Sequence, residues 1–202
     1  ATALKKGFTP DAVLLDIFGI DLFNLDRERT PAALLSSLQN DGVGFAIAWL
    51  TVTAWTRRMR ILWGVSAFLF IMMGLDEISE LHENVAYYLV KYVPPFPFFH
   101  SGTPMWIVFL SPLILASLVM LAYITRLLMK SSRKIGRAAL AGLLLFCFAL
   151  ALEFAGGISS LQSLLPIFIP LEEGLELLAG TLFLFSFATL AKEEFRKTFH
   201  RK

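Results

Sequence analysis

The stretch Ile61-Leu62-Trp63-Gly64-Val65-Ser66-Ala67-Phe68-Leu69-Phe70-Ile71-Met72-Met73-Gly74-Leu75 carries no ionisable side chain and runs directly into Asp76-Glu77-Ile78-Ser79-Glu80-Leu81-His82-Glu83. An apolar run of this kind fits a helix in a bilayer, and its acidic continuation sets charge at or inside the membrane boundary. A second acidic group, Glu172-Glu173-Gly174-Leu175-Glu176, opens the apolar stretch that runs to Leu190, and Glu153 sits near the end of the stretch that starts at Ala138. Charge in hydrocarbon costs about 2.5 to 3.5 kcal/mol per residue, so such side chains usually face one another, water or a bound ion. The acidic groups are therefore where function is to be sought.

Composition supports the membrane reading. The 202 residues are 56% hydrophobic and 17% charged, with a mean hydropathy of +0.67, and a soluble domain of this size needs more polar surface. The expected fold is all-α, a polytopic membrane helix bundle of about five transmembrane helices, over 31–56, 61–88, 104–129, 137–159 and 170–191, each near or above the roughly 20 residues a crossing needs. The second loses its apolar character after Leu75, so one long helix is expected to leave the membrane there and continue to Tyr92. The chain reads as a single domain over 1–202: an outer-side interfacial segment over 1–30, a bundle over 31–191 and a basic cytoplasmic tail over 192–202. Phe8 to Phe23 alternates apolar Val13, Leu14, Ile17, Phe18 and Leu22 with Asp11, Asp16 and Asp21, as an N-terminal helix lying in the interface would. The proline-rich segment Val93 to Pro104, with Trp106, Tyr87, Tyr88 and Tyr92 as an aromatic belt, and the glycine- and proline-broken segment Gly156 to Pro170, a short re-entrant or interfacial loop, are expected outside.

Net charge is +2 and gives no ground for a nucleic-acid partner. No nucleophile elbow, phosphate loop, haem-attachment motif or dinucleotide fingerprint is present. Cys147, the single cysteine, excludes an intramolecular disulfide framework and reads as a small core residue. With five spans and a cytoplasmic C-terminus the first forty residues fall outside, which a leader or a further span preceding Ala1 would reconcile.

Counting rise at about 1.5 Å per residue from the inner helix ends puts Asp41, Asp76, Glu80, Glu153, Glu173 and Glu176 at about 21 to 28 Å, one slab on four helices. At 100° per residue Asp76, Glu80 and Glu83 share a face, whereas Glu77 and His82 turn away from it. Inward acidic residues on several helices resemble carboxylate-bridged metal bundles, although the usual Glu-x-x-His spacing is missing. The acidic layer reads first as a buried, partly protonated network that fixes helix packing, then as a metal site, then as a proton or cation pathway; the candidate ligand set is Asp76, Glu80, His82, Glu83, Glu153, Glu173 and Glu176, whose oxygen-rich character favours manganese, magnesium or calcium over zinc, with iron where His82 or His100 turns in. Glu172 and Glu173, just after Pro170, also fit the plainer role of acids at a helix start. Gln39, Asn40 and Asp41 interrupt the first span, where unpaired polar groups cost several kcal/mol each. They either join the acidic layer or contact a neighbouring subunit. Gly42, Gly44, Ala46 and Ala48 follow them and permit close helix approach.

The combination Phe23-Asn24-Leu25-Asp26-Arg27-Glu28 with Pro31, Leu75-Asp76-Glu77 followed by His82-Glu83, and Leu171-Glu172-Glu173-Gly174-Leu175-Glu176-Leu177-Leu178 with Gly180 resembles a family of small uncharacterised bacterial polytopic membrane proteins. The likeness covers about residues 20 to 190. It implies membrane topology, bacterial origin and a signature of Asp76, Glu77, His82, Glu83, Glu172, Glu173 and Glu176. The chain departs from that pattern at Gln39-Asn40-Asp41, where the family looks plainly apolar. Three functions follow in order: an accessory or structural subunit of a larger bacterial membrane complex, with other membrane subunits and the lipid bilayer as partners; a metal-dependent, carboxylate-bridged membrane enzyme; and a small proton or cation transporter.

Orientation follows from charge. The segments Thr56 to Arg60 and Arg126 to Arg137, with Lys192 to Lys202, hold 13 of the 18 Lys and Arg residues, so the positive-inside rule makes them cytoplasmic in a bacterial inner membrane. Cysteine introduced by Ser131→Cys and by Ser101→Cys should then label from opposite sides. Labelling of both from outside would reverse the reading.

Overall fold

The computed structural model describes residues 31–54, 56–79, 81–93, 99 and 105–199, apart from the side chains of Glu83, Tyr87, Val90, Lys91 and Phe199. The interfacial helix expected over 8–23 and most of the proline-rich segment lie outside the described residues. Six α-helices follow in order: α1 Pro31–Thr53, α2 Arg57–Ser79, α3 Leu81–Tyr92, α4 Met105–Ser131, α5 Arg133–Gly156 and α6 Leu165–Phe199, with a 3-10 helix Ser159–Leu164 before the last. The fold is an all-helical bundle, as expected.

Three boundaries differ from the sequence reading. Among the described residues four candidate spans stand where five were expected: Arg57–Ser79, Met105–Ser131, Arg133–Gly156 and Ser159–Thr198. Helix α1, at 23 residues, is long enough, but Ser36, Ser37, Gln39, Asn40 and Asp41 dilute its apolar face. The second expected helix is described as two, α2 and α3, on either side of Glu80, which lies outside the described residues; Asp76 Oδ1 accepts the backbone N–H of His82 at 2.9 Å, so a side chain satisfies a donor in the first turn of α3. The last helix begins at Leu165, five residues before the expected position 170. Pro166 occupies its first turn, where the missing N–H costs nothing, and Pro170 is carried inside it.

Neighbouring helices run antiparallel through short connections. Thr56 Oγ1 accepts the Met59 N–H at 3.2 Å and Arg60 Nε donates to the Ala54 carbonyl at 3.0 Å, tying the α1–α2 turn. At the α4–α5 turn the Gly136 N–H reaches the Ser132 carbonyl at 2.9 Å. Contacts run Ser37 to Gly74 and Gly44 to Ala67 between α1 and α2, and Gly142 to Ala179 between α5 and α6. The basic ends of α1, α2, α4, α5 and α6 therefore share one end of the bundle. Towards that end the core is tight: Ile47, Ile124, Ala139 and Phe187 are fully enclosed, and Phe70 meets Phe183 and Phe187 edge-on at 5.6 and 6.1 Å between centroids, an arrangement that aromatic quadrupoles favour.

Helix α1 is held by polar contacts with both neighbours. Ser37 Oγ donates to the Gly74 carbonyl at 2.7 Å, and Gln39 Nε2 donates to Thr181 Oγ1 at 2.9 Å. Two buried acceptors lack an ordinary donor among the described residues, Gln39 Oε1 and Asp41 Oδ1. Each abuts a glycine: a β-carbon on Gly180 would lie 2.6 Å from Gln39 Oε1, and one on Gly74 would lie 2.6 Å from Asp41 Oδ1. The hydrogen that each β-carbon would replace points at the oxygen, a Cα–H···O contact that recurs where helices pack closely. Gln39 and Asp41, read as joining the acidic layer or contacting a neighbouring subunit, thus lie against α6 and α2 of the same chain.

These glycines reverse an ordinary trend. Glycine to alanine in a helix is worth up to about 1 kcal/mol of stability by propensity, and Gly174→Ala, with nothing within 4 Å of its β-carbon, should be neutral or stabilising. At Gly74 the new methyl would also meet the Ser37 carbonyl at 3.0 Å, and overpacking costs about 1 to 3 kcal/mol, so Gly74→Ala should lower the unfolding midpoint in detergent. Equal midpoints for the two variants would contradict the α1–α2 register.

Candidate functional site

At the end of the bundle opposite the basic turns the helices splay around a cavity of about 1140 Å³. Helices α1 and α2, α1 and α6, and α5 and α6 pack extensively, whereas α2 and α4 touch little. The cavity lies inside that loosely closed ring. Its walls are mainly apolar, and its polar lining comes from all six helices: Ser36 and Asn40 on α1, Ser66, Asp76, Glu77 and Ser79 on α2, His82 on α3, Trp106 and Ser117 on α4, Glu153 on α5, and Glu172, Glu173 and Glu176 on α6. Six carboxyl groups and one imidazole line it, and no Lys or Arg among the described residues does.

Local contacts set each group. Asp76 holds His82 twice, through the backbone N–H and through Nδ1, which donates to Asp76 Oδ2 at 2.8 Å. The His82 ring lies against Trp106 with centroids 4.9 Å apart, and Trp106 Nε1 donates to Glu153 Oε1 at 2.7 Å. Asp76, His82, Trp106 and Glu153 therefore form a chain of contacts that joins α2, α3, α4 and α5. On the other wall Ser36 Oγ donates to Glu77 Oε1 at 3.1 Å. Glu176 has Glu77, Glu173, Glu153 and Glu172 as its charged neighbours. Asn40, only 6% exposed, lines the cavity without a hydrogen-bond partner for its side chain among the described residues.

The equal depth read from helix rise thus corresponds to shared space for Asp76, Glu153, Glu173 and Glu176. The angular count does not survive. Glu77, which it turned aside, lines the cavity, and His82 is turned onto Asp76 rather than away from it, held there by its hydrogen bonds to that carboxylate. Glu172 and Glu173 are not at a helix start, since α6 begins at Leu165. They lie two turns in and face the cavity. Trp106, expected in an interfacial belt, instead donates into the site; the need of a buried indole N–H for an acceptor was the signal for it. Gln39 and Asp41 face α6 and α2 rather than the cavity, while Asn40 between them faces it.

Of the seven expected metal ligands, Glu80 and the side chain of Glu83 lie outside the described residues. Among the described residues no three His, Cys, Asp or Glu side chains are grouped closely enough to hold a metal ion. The carboxyls surround a space instead of converging on a point, which suits a molecule better than an ion.

The profile of a domain of unknown function (DUF8692) matches residues 4–191. No curated protein and no solved structure matches the chain.

Proposed function

The chain belongs to the DUF8692 family, whose function is unknown, and we propose from the geometry of its site that it is a multi-pass protein of the bacterial inner membrane, C-terminus cytoplasmic, that binds a small organic ligand in the splayed half of its bundle. The observation that carries this reading is the cavity itself. Ligand sites are concave, mostly apolar spaces of roughly 300 to 1,000 Å³ with a few convergent polar groups, and this one has that form at about 1140 Å³. Ser36, Asn40, Glu77, His82, Trp106, Glu153 and Glu176 are its proposed contact residues. Filling such a space with water alone would leave apolar walls such as Leu110, Ile114 and Leu118 wet inside a membrane protein, at a cost that an amphiphilic occupant removes.

The metal-enzyme reading has less support, since it needs Glu80 and Glu83 to complete a set that the remaining acids do not form. A cation pathway would have to pass the packed rings of Phe70, Phe183 and Phe187. A second reading keeps one specific observation. Met105–Ser131 is the most apolar span, with a mean hydropathy of 2.5, and only 11% of it is buried, against 28 to 33% for the other three. Such a face suits lipid, and it also suits a neighbouring subunit, so a role within a larger membrane complex is compatible with ligand binding.

Native mass spectrometry of the full chain ejected from nanodiscs, paired with elemental analysis, tests the proposal. The expected result is an organic adduct and no stoichiometric metal. A bare chain mass would overturn ligand binding, and stoichiometric manganese or iron would move the assignment to the metal enzyme.

A further inference from the structure

The cavity is not closed on all sides. Leu75 on α2 and Leu113 on α4 line it and are also 50% and 54% exposed on the outside of the bundle, so their side chains stand at an edge between interior and surroundings. Met72 and Ile78 share that position. The edge falls where α2 and α4 touch little, and both are helices long and apolar enough to cross a membrane. An opening between two spans, at the depth of their apolar residues, faces acyl chains rather than water. What enters by it must itself be soluble in lipid.

The inner end of the same cavity has the opposite character. Glu77 accepts one hydrogen bond, from Ser36, and a carboxylate has room for several. Glu176 accepts none among the described residues, and its charged neighbours are four other glutamates. Asn40, 6% exposed, has its whole side-chain hydrogen-bonding capacity unused. Its amide faces the cavity and is free to bond an occupant, and acids crowded in apolar surroundings are each destabilised by the others. A positively charged group with several N–H donors would bond the Asn40 Oδ1 and relieve the acids together. A phosphate or carboxylate could accept from the Asn40 amide but would add negative charge among the acids. The paired rings of His82 and Trp106 line the same space, and an aromatic face attracts an ammonium group.

Building on the ligand-binding reading above, we propose that the cavity takes a single-chain amphiphile with an ammonium head, which enters sideways from the membrane between α2 and α4 and sets its head among Asn40, Glu77 and Glu176, with its apolar chain along Leu75 and Leu113. Three features are then explained together: an acidic cavity lined by no described Lys or Arg, a buried asparagine without a partner, and apolar walls that continue to an open side.

The full chain in phosphatidylcholine nanodiscs, titrated with dodecylamine, dodecanol and dodecanoate against protein-free discs, provides the test, read by tryptophan emission and by thermal midpoint. Dodecylamine should bind at least about tenfold more tightly than dodecanol, the scale of one charge-assisted hydrogen bond, and dodecanoate should not compete with it. Glu176→Gln, which keeps the shape and removes the charge, and Asn40→Leu should each weaken the amine about tenfold and leave dodecanol unchanged. Leu113→Trp should slow amine association without changing the unfolding midpoint. Equal binding of amine and alcohol would overturn the cationic head while leaving a ligand-binding cavity in place. Preferential dodecanoate binding, or loss of amine binding in no variant, would also overturn it, and an unchanged association rate in Leu113→Trp would overturn the lateral route. If no probe binds, this proposal fails; the broader reading fails with it only if the native mass is also bare.

Discussion

A polar group inside an apolar slab must find its partner within the protein, and the arrangement of this bundle follows from that requirement. Helix α1 carries the run Ser36 to Asp41, which would be costly against acyl chains. It is instead set between α2 and α6, where Ser37 donates to the Gly74 carbonyl, Gln39 donates to Thr181, and two glycines give the oxygens of Gln39 and Asp41 room. That packing fixes how α2 and α6 stand relative to each other. They are the two helices that carry most of the acids, so the placement of the candidate site descends from a helix that supplies only Ala33, Ser36 and Asn40 to its lining.

The two ends of the bundle then differ for physical reasons. At the basic end short turns and interlocking aromatic rings bring the helices into contact. At the acidic end α6 starts early, α2 and α4 touch little, and carboxyl groups on α2, α5 and α6 line the cavity between the helices. The result is a wedge: packed where side chains are apolar, open where they are acidic. Asp76 has a structural part in this. By accepting both donors of His82 it anchors α3 and holds the imidazole against Trp106.

Much of the fold was legible in the residues. Apolar length located α4 and α5 to within a few residues, since Met105–Ser131 and Arg133–Gly156 are bounded by basic clusters that hydropathy marks clearly. Less was legible where one signal stood for two structures. The loss of apolar character after Leu75 says nothing of how the chain turns there; the Asp76 carboxylate that takes the His82 N–H depends on a contact six residues away. Pro166 and Pro170 read as breakers, yet proline is accepted in a first helical turn, and the early start moved Glu172 and Glu173 from a helix end into the cavity wall. Of the acids given one depth, Asp76, Glu153, Glu173 and Glu176 line the cavity, whereas Asp41 lies against Gly74. Angle was less legible: Glu77, on the same helix as Asp76, lines the cavity as well, and His82 is drawn onto Asp76 by their hydrogen bond.

The central claim is that α1 lies against α6 with Gln39 on Gly180. A β-carbon at position 180 would stand 3.4 Å from that of Gln39, close to the roughly 3.5 to 4.5 Å a disulfide spans. In a Cys147→Ser background, the pair Gln39→Cys and Gly180→Cys should oxidise in native membranes and be protected from maleimide, with the linked peptides recovered by mass spectrometry. The pair Leu38→Cys and Gly180→Cys, whose first member is 59% exposed on another face of α1, should stay reduced. Full maleimide labelling at 39 and 180 after oxidation, or equal cross-linking of both pairs, would contradict the account.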